Sequence, residues 1–431
     1  MLWHRPYVCE FERGLQDHDP KYKCDDERHK GPDALGLPYW GWEHWDGFTL
    51  PQILGNHIYV IKTDCWKEEG YPKGSIFQNP FHRWFAPVSI EDQKAQYFHS
   101  TLADNNTTTR AAAFEDKGAE FSNPWEQISY KTKPAMSEVV EVSLQNSNWL
   151  EFCTMKDCVG GSTWSIENAH NKFHNRVGGV TRGGIQGSGT QRAPDEITPD
   201  NTKPNEFTGT MAQNQSAFDP IFWLHHSNVE RQLMTWQMFH ATKGTTPAPG
   251  SKPSDELMSR VMYPWTKPNK LFNDELSWNT DSDKESDATF ESWWDHTNLP
   301  YKYDEYVETK PAVQPTYDGI LPTPPSKFTS GAIRMRVMFN KIYYKGGEYD
   351  LYYTPTQQLE CLVGAVSVLS GQGSVCARCS QRAEGCVAFE VSETFGSIED
   401  AEKAFDEKKL CLKRNDIPIP IERVIVTPWC S

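Results

Sequence analysis

The sequence contains no apolar run that approaches the roughly 18 residues needed to cross a membrane, so no membrane span is expected. Positive charge is in deficit, because 43 basic residues stand against 58 acidic ones and the formal net charge is −15. This balance argues against a general nucleic-acid binder, which needs a basic face. Residues 1–6 have neither the charged region nor the apolar core of a secretory signal, so no signal peptide is expected there.

Cysteine is plentiful, but a second Cys-x-x-Cys motif is absent. Six of the 11 cysteines fall after residue 360: Cys361, Cys376, Cys379, Cys386, Cys411 and Cys430. One interpretation is a disulfide-stabilised module from an oxidising compartment, and the other is a zinc site built around Cys376 and Cys379. The loose spacing to Cys386 favours disulfides, and with them a secreted protein or an endomembrane lumen, although the compartment stays open.

Two short stretches contain histidines at metal-ligand spacing. In the stretch 167–174, His170 and His174 are four residues apart, so on a helix they share one face and can converge on one ion. In the stretch 218–231, an Asp-Pro pair is a good helix start, and His225 and His226 follow about two turns later. Adjacent helical residues point roughly 100° apart, so these two should not both ligate one metal. Three imidazoles from two helices predict a copper or zinc site.

The frame around the second stretch, Asp-Pro-x-Phe-x-x-His-His-x-x-x-Glu-Arg, is more specific than either histidine pair. It resembles the tyrosinase, catechol oxidase and hemocyanin family, the type 3 copper proteins. The resemblance implies that His170, His174 and His226 are the three ligands of the second copper, CuB, with His225 as a structural neighbour. It also implies a mainly α fold, in which a four-helix bundle with long loops holds two copper ions.

A first helix is predicted over residues 3–18, where Tyr7, Phe11 and Leu15 form an apolar stripe. Its start resembles the family segment Trp-His-Arg-x-Tyr-x-x-x-x-Glu. The resemblance implies that His4 is the third ligand of the first copper, CuA, and that Glu12 matches the family glutamate.

The CuA half of the site is incomplete in this sequence. The family places two further CuA histidines upstream, but only three residues precede His4. We expect either that the sequence is a fragment or has a misassigned start, or that it is a divergent member without a CuA site. A substitute ligand has no motif support; the alternatives are His18, His29, His44, His57, His82 and His99. In the nearby Pro-Tyr-Trp-x-Trp segment, Gly41 replaces the usual Asp, so the role of that carboxylate is in doubt.

Two polar residues beside the CuB ligands are candidate catalytic groups. By resemblance, Glu167 matches the glutamate that holds a water near the coppers, and Asn171 matches the asparagine that helps this water to deprotonate a phenol. The alternative for both is helix capping or a solvated face. Glu230 is interpreted as a group that orients a ligand, or as a partner of Arg231.

The chain length predicts two domains. Residues 1–309 form the expected copper domain, which closes with Tyr301-Lys302-Tyr303, a match to the tyrosinase Tyr-x-Tyr signature. A Pro-rich linker is placed at 310–328, and 329–431 are expected to form a smaller, Cys-rich, β-containing domain. Strands are predicted at 333–339, 349–353 and 421–426, and a helix at 398–410 with Ser397 as its N-cap. By resemblance, this domain covers the copper site and keeps an enzyme latent.

The predicted function is that of a copper-dependent phenol oxidase, an oxidoreductase that acts on mono- or o-diphenols, with monooxygenase activity in the tyrosinase case. Its partners would be small phenols and O2. The alternatives are a hemocyanin-like O2-binding protein and an impaired member with only the CuB half-site. The sequence leaves open the natural substrate, the disulfide connectivity and the oligomeric state.

Overall fold

The structure is a computed structural model. It describes residues 2–18, 36–44, 58–61, 72–81, 136–146, 148–154, 164–178, 210–212, 216–241, 252–262, 289–296, 299, 301–303, 333–340, 347–356, 359–368, 384–392, 394–414 and 417–428. The predicted linker at 310–328 lies outside these residues, so the predicted domain limits stay predictions.

Helices dominate the described residues before position 300. They are α1 (His4–His18), α2 (Met136–Gln145), α3 (Trp149–Cys153), α4 (Ile166–Gly178), α5 (Ile221–Ala241) and α6 (Asp255–Met258). Short 3-10 turns lie at Trp42–His44, Thr210–Ala212 and Ser216–Phe218. The helix predicted at 3–18 is therefore confirmed within one residue at each end, and the helices expected to carry His170 and the His225–His226 pair are present as α4 and α5.

Local chemistry explains where these helices start. Pro6 lies in the first turn of α1, where a missing N–H breaks no helical hydrogen bond. Asp219 Oδ1 accepts from the Ile221 backbone N–H at 3.0 Å, which caps α5 as predicted. Helices α2 and α3 are separate, because Asn148 Oδ1 accepts from the Leu150 N–H at 2.9 Å and starts a new helix.

Strands dominate the described residues after position 330. Strands β3 (Ile333–Asn340), β6 (Glu384–Glu390) and β9 (Arg423–Pro428) form one antiparallel sheet in the order β6-β3-β9. Strands β4 (Gly347–Thr356), β5 (Leu359–Val368), β7 (Leu410–Arg414) and β8 (Ile417–Ile419) form a second in the order β5-β4-β7-β8. Elsewhere, β1 (Ile58–Val60) and β2 (Ile76–Gln78) pair as a small antiparallel ladder.

The two larger sheets share one core, to which Val337, Phe339, Leu351 and Phe389 contribute fully buried side chains. Helix α7 (Ile398–Asp406) packs Ala401 and Ala404 into the same core. Its N-cap is Ser397, as predicted, with Oγ accepting from the Asp400 N–H at 3.1 Å. The helix was predicted to reach residue 410. It ends earlier because Lys408, at φ 57°, adopts the left-handed conformation that terminates helices.

The chain divides into two compact units, each made of separate segments. The first comprises Met1–Gly41, Glu141–Cys153 and Trp223–Gly319, and Cys9, Met262 and Trp293 form one of its buried clusters. The second comprises Trp42–Val140, Thr154–Phe222 and Ile320–Ser431, and contains α4 and the two larger sheets. Within this second unit, α4 lies against β5, and Asn175 Nδ2 donates to the Val368 carbonyl at 3.3 Å.

Among the described residues, no helix is both long and apolar enough to span a membrane. Among the described residues, Cys9, Cys361 and Cys411 are not in disulfides. The predicted disulfide framework therefore gains no support from these residues, and it stays a prediction for the cysteines outside the described part, which include Cys376 and Cys379.

Candidate metal centre

Four buried histidines come together in the helical part of the chain. One ring nitrogen from each of His170, His174, His225 and His226 lies within 4.8 Å of the others. The first two belong to α4 and the second two to α5. A set of imidazole nitrogens at this spacing can hold a metal ion such as copper or zinc.

Hydrogen bonds fix the ring tautomers on α4. His170 Nδ1 lies 2.9 Å from Asn171 Oδ1, and His174 Nδ1 lies 2.6 Å from the Met211 carbonyl oxygen. Both oxygens can only accept, so each Nδ1 carries the proton and donates it. The lone pair of each ring is then on Nε2, which is the nitrogen that would ligate a metal.

Burial keeps these two rings neutral. It lowers the pKa of His170 to about 4, although the hydrogen bond to Asn171 acts in the opposite direction. Burial, followed by the neighbouring His170, holds the pKa of His174 well below its usual value. Because a metal binds the deprotonated imidazole, both rings are ready to ligate at neutral pH without losing a proton first.

The second pair of histidines lies near the start of α5. Phe222 lies beside His174, with ring centroids 5.9 Å apart, and His225 and His226 follow one turn later on the same helix. Residues 221–237 of α5 are buried on every side although many of their side chains are polar, so polar residues do not mark an exposed face of this helix.

The structure places the histidines of α5 and α1 as follows. His4, predicted for CuA, begins α1, and its ring stacks on His226 with centroids 4.1 Å apart and planes 20° apart. It is not among the four clustered rings, whereas His225, which the adjacency argument set aside, is one of them. The side chains of the six substitute histidines are outside the described part. The assignment of individual ligands therefore stays a prediction.

The two predicted catalytic residues occupy different settings. Glu167 is half-buried in the first turn of α4, and its Oε2 accepts from the Thr154 hydroxyl at 2.9 Å. Asn171 is buried and holds the ring of His170. Their catalytic roles stay predictions.

One feature of the centre was not predicted from the sequence. Glu230 was expected to orient a ligand or pair with Arg231, but its partner is Arg5, whose Nε donates to Glu230 Oε1 at 2.7 Å in a fully buried ion pair. The Tyr301 hydroxyl donates to the same oxygen at 3.1 Å. Arg231 instead lies over the Tyr39 ring, 4.2 Å from its centroid. A partner 225 residues away leaves no local signal in a sequence.

Known proteins resemble this chain over much of its length. A family model described as the common central domain of tyrosinase matches residues 1–238. A tyrosinase from Streptomyces glaucescens is 26% identical over 293 residues, which cover 65% of this chain and 78% of that protein. An A-type hemocyanin from Enteroctopus dofleini is 22% identical over 305 residues, 70% of this chain and 17% of that protein.

Some relatives are much longer than the matched region. Polyphenol oxidase 4 from Agaricus bisporus is 27% identical over 268 residues, and the match spans 59% of this chain but only 38% of that protein. Among solved structures, a mutant pro-tyrosinase from Aspergillus oryzae superposes with a TM-score of 0.56 at 16% identity, covering 99% of this chain and 77% of that one. This similarity shows the fold, and it confirms the predicted class of a mainly helical domain with a smaller β-rich region. The chain belongs to the tyrosinase family, the type 3 copper proteins that include oxidases and hemocyanins.

Proposed function

We propose that the chain is a copper-dependent phenol oxidase, which converts mono- or o-diphenols to o-quinones with O2. The observation that carries the proposal is the buried group of four imidazoles on α4 and α5. Imidazole is a ligand suited to a metal that cycles between Cu(I) and Cu(II). Bound copper would supply the electron transfer to O2, which the side chains of the group cannot perform themselves.

The chain's own residues prepare this centre. Asn171 and the Met211 carbonyl hold the rings of His170 and His174 through Nδ1, so both Nε2 lone pairs are oriented before a metal arrives. The lowered pKa values of His170 and His174 keep these lone pairs available at neutral pH. The residues therefore fit a copper ion by donor type, tautomer and protonation state.

A phenol must lose its proton before it is oxidised, and Glu167 is the carboxylate that we assign to this step. Its Oε2 accepts from the Thr154 hydroxyl, which keeps the carboxylate at a fixed place on α4, one turn before His170. Asn171 acts on the ring of His170 and would support the step by keeping that ligand in position.

Copper loading followed by activity measurement tests the proposal. The purified chain should bind copper, measured by mass spectrometry of the metal, and should oxidise catechol or tyramine. His174→Ala should abolish oxidation, because it removes one of the four imidazoles. His240→Ala is the matched control: its ring contacts the Leu144 carbonyl at 3.0 Å, near the end of α5, and oxidation should persist. Unchanged turnover in His174→Ala would refute the site.

A hemocyanin-like O2-binding protein is the second candidate, and the match to an octopus hemocyanin over 70% of this chain favours it. Reversible O2 binding without catechol turnover would select this candidate. A chain that binds a single copper and turns over neither substrate would instead be an impaired member with only the CuB half-site.

We further propose that the β-rich C-terminal part limits access to the centre. Asn175, the residue after His174, donates to Val368 of β5, so this sheet lies directly against the helix that carries two of the imidazoles. Proteolytic trimming within residues 310–325 should raise catechol turnover at equal copper content. Equal activity before and after trimming would contradict this cover.

A further inference from the structure

A fully buried ion pair connects the helix that begins with His4 to the helix that carries His226. Arg5 Nε donates to Glu230 Oε1 at 2.7 Å, and neither side chain is exposed to solvent. Burial of two charges carries a large desolvation penalty, which makes such pairs weak sources of stability. Their best-attested role is to specify one arrangement of the elements that they join.

Every nitrogen of the guanidinium is used. Nη1 donates to the carbonyl oxygens of Trp293 and Trp294 at 2.8 and 2.9 Å, and Nη2 donates to Gln237 Oε1 at 2.6 Å. Because the guanidinium is planar and rigid, partners on all three nitrogens leave it one position and one orientation. Lysine has the same charge but cannot reproduce this fork.

The Glu230 carboxylate, which accepts from Arg5, is held in place as well. Tyr301 donates to the same Glu230 oxygen at 3.1 Å. Gln237 completes the arrangement, since its Nε2 donates to the Trp294 carbonyl at 2.7 Å while its Oε1 accepts from Arg5. We call Arg5, Glu230, Gln237 and Tyr301 the Arg5 clasp.

The Arg5 clasp lies next to the rings of His4 and His226. Arg5 follows His4 directly, and Glu230 is four residues, about one helical turn, after His226. The two rings stack with centroids 4.1 Å apart. The position of α1 along α5 therefore decides whether His4 remains at His226, and the ion pair sets that position.

We propose that the Arg5 clasp is a positioning device that holds His4 against His226 and thereby makes His4 part of the metal centre. The proposal rests on the proposed function only in that it concerns the same centre. In it, Arg5 acts through His4 and touches neither substrate nor metal.

A double-mutant cycle on copper affinity tests this role. If Arg5 had only a structural role, its replacement would change copper affinity equally with and without the His4 ring. Copper is titrated into wild-type chain, His4→Ala, Arg5→Lys and the double variant, and both the affinity and the copper content per chain are measured. Arg5→Lys should weaken copper binding by roughly 10- to 100-fold, the usual effect of losing a group that orients a ligand, and His4→Ala should weaken it at least as much. The double variant should be no weaker than His4→Ala alone.

Controls keep the outcome decisive. Arg423→Lys alters the ion pair with Glu384 on the β3 sheet, at 2.6 and 3.2 Å, and should leave copper binding unchanged. Glu230→Gln keeps the size of the acceptor and serves as the second clasp variant if Arg5→Lys fails to fold by circular dichroism. Additive losses in the double variant, or no loss in His4→Ala, would overturn the proposal while the copper site on α4 and α5 stands. A wild-type chain that binds no copper would refute the proposed function itself.

Discussion

Replacing Trp236 by phenylalanine should destabilise the chain more than the same replacement at Trp149. Both indoles are buried in one aromatic cluster, with ring centroids 5.7 Å apart. Trp236 Nε1 donates to the Asn146 carbonyl at 2.6 Å, which ties α5 to the end of α2. Among the described residues, the indole nitrogen of Trp149 has no hydrogen-bond partner. The pair therefore isolates one hydrogen bond within the same surroundings.

The expected magnitude follows from what each variant leaves behind. Both lose a similar amount of buried apolar surface, because both side chains are almost fully enclosed. Trp236→Phe also leaves the Asn146 carbonyl oxygen buried without its indole donor, which costs about 1–3 kcal/mol. Trp149→Phe leaves no such group, so the difference between the two variants should be about 1–3 kcal/mol.

Urea unfolding followed by far-ultraviolet circular dichroism measures this difference, since tryptophan fluorescence would change with the substitution itself. The free energies of unfolding come from linear extrapolation of the same transition in each variant. Equal losses in the two variants, or a larger loss for Trp149→Phe, would show that packing rather than the hydrogen bond governs this contact.

Three further measurements address the thiols, the β-rich part and the metal. Cys9 is buried, and desolvation is the main cause that raises its pKa to about 12. Roughly one Cys9 thiol in 10,000 is therefore ionised at pH 8, and iodoacetamide should leave Cys9 unlabelled in native protein. Peptide mass spectrometry checks this against partly exposed Cys361 and against urea-denatured chain; native labelling of Cys9 at the denatured rate would contradict its burial. Ser397→Ala should lower the stability of the β-rich part by about 1 kcal/mol in urea unfolding, because the cap of α7 is lost. Ser254→Ala, which uncaps only a short exposed helix, is its control, and an equal effect would argue against the cap. Chelation of copper should lower the melting temperature, since free copper at 100 times its dissociation constant adds about 2.7 kcal/mol to the free energy of unfolding. A melting temperature that does not change with chelator would contradict a contribution of the metal to stability.

Much of the helical scaffold could be predicted because its signals are local. The Asp219-Pro220 pair predicts the start of α5, and the apolar stripe of Tyr7 and Phe11 predicts α1. The strands predicted at 333–339, 349–353 and 421–426 are confirmed as β3, β4 and β9, but β5 was not predicted. Strand β5 has apolar residues without strict alternation, and Gly364 within it lies close enough to Phe389 that a Cβ would be 3.0 Å from that ring. Its place in the fold depends on pairing with β4 and on packing against Phe389 of β6 in the other sheet, not on its own sequence.

The sequence by itself determined the chemistry of the centre. The four-residue spacing of His170 and His174, and the His-His pair within its Asp-Pro frame, predict imidazole ligands on two helices, because helical periodicity is a property of the chain alone. Tertiary structure alone decided which groups surround them. The Met211 carbonyl that orients His174 and the Arg5–Glu230 pair beside His4 and His226 join residues 37 and 225 positions apart. Such contacts arise only when helices pack, so local spacing cannot reveal them.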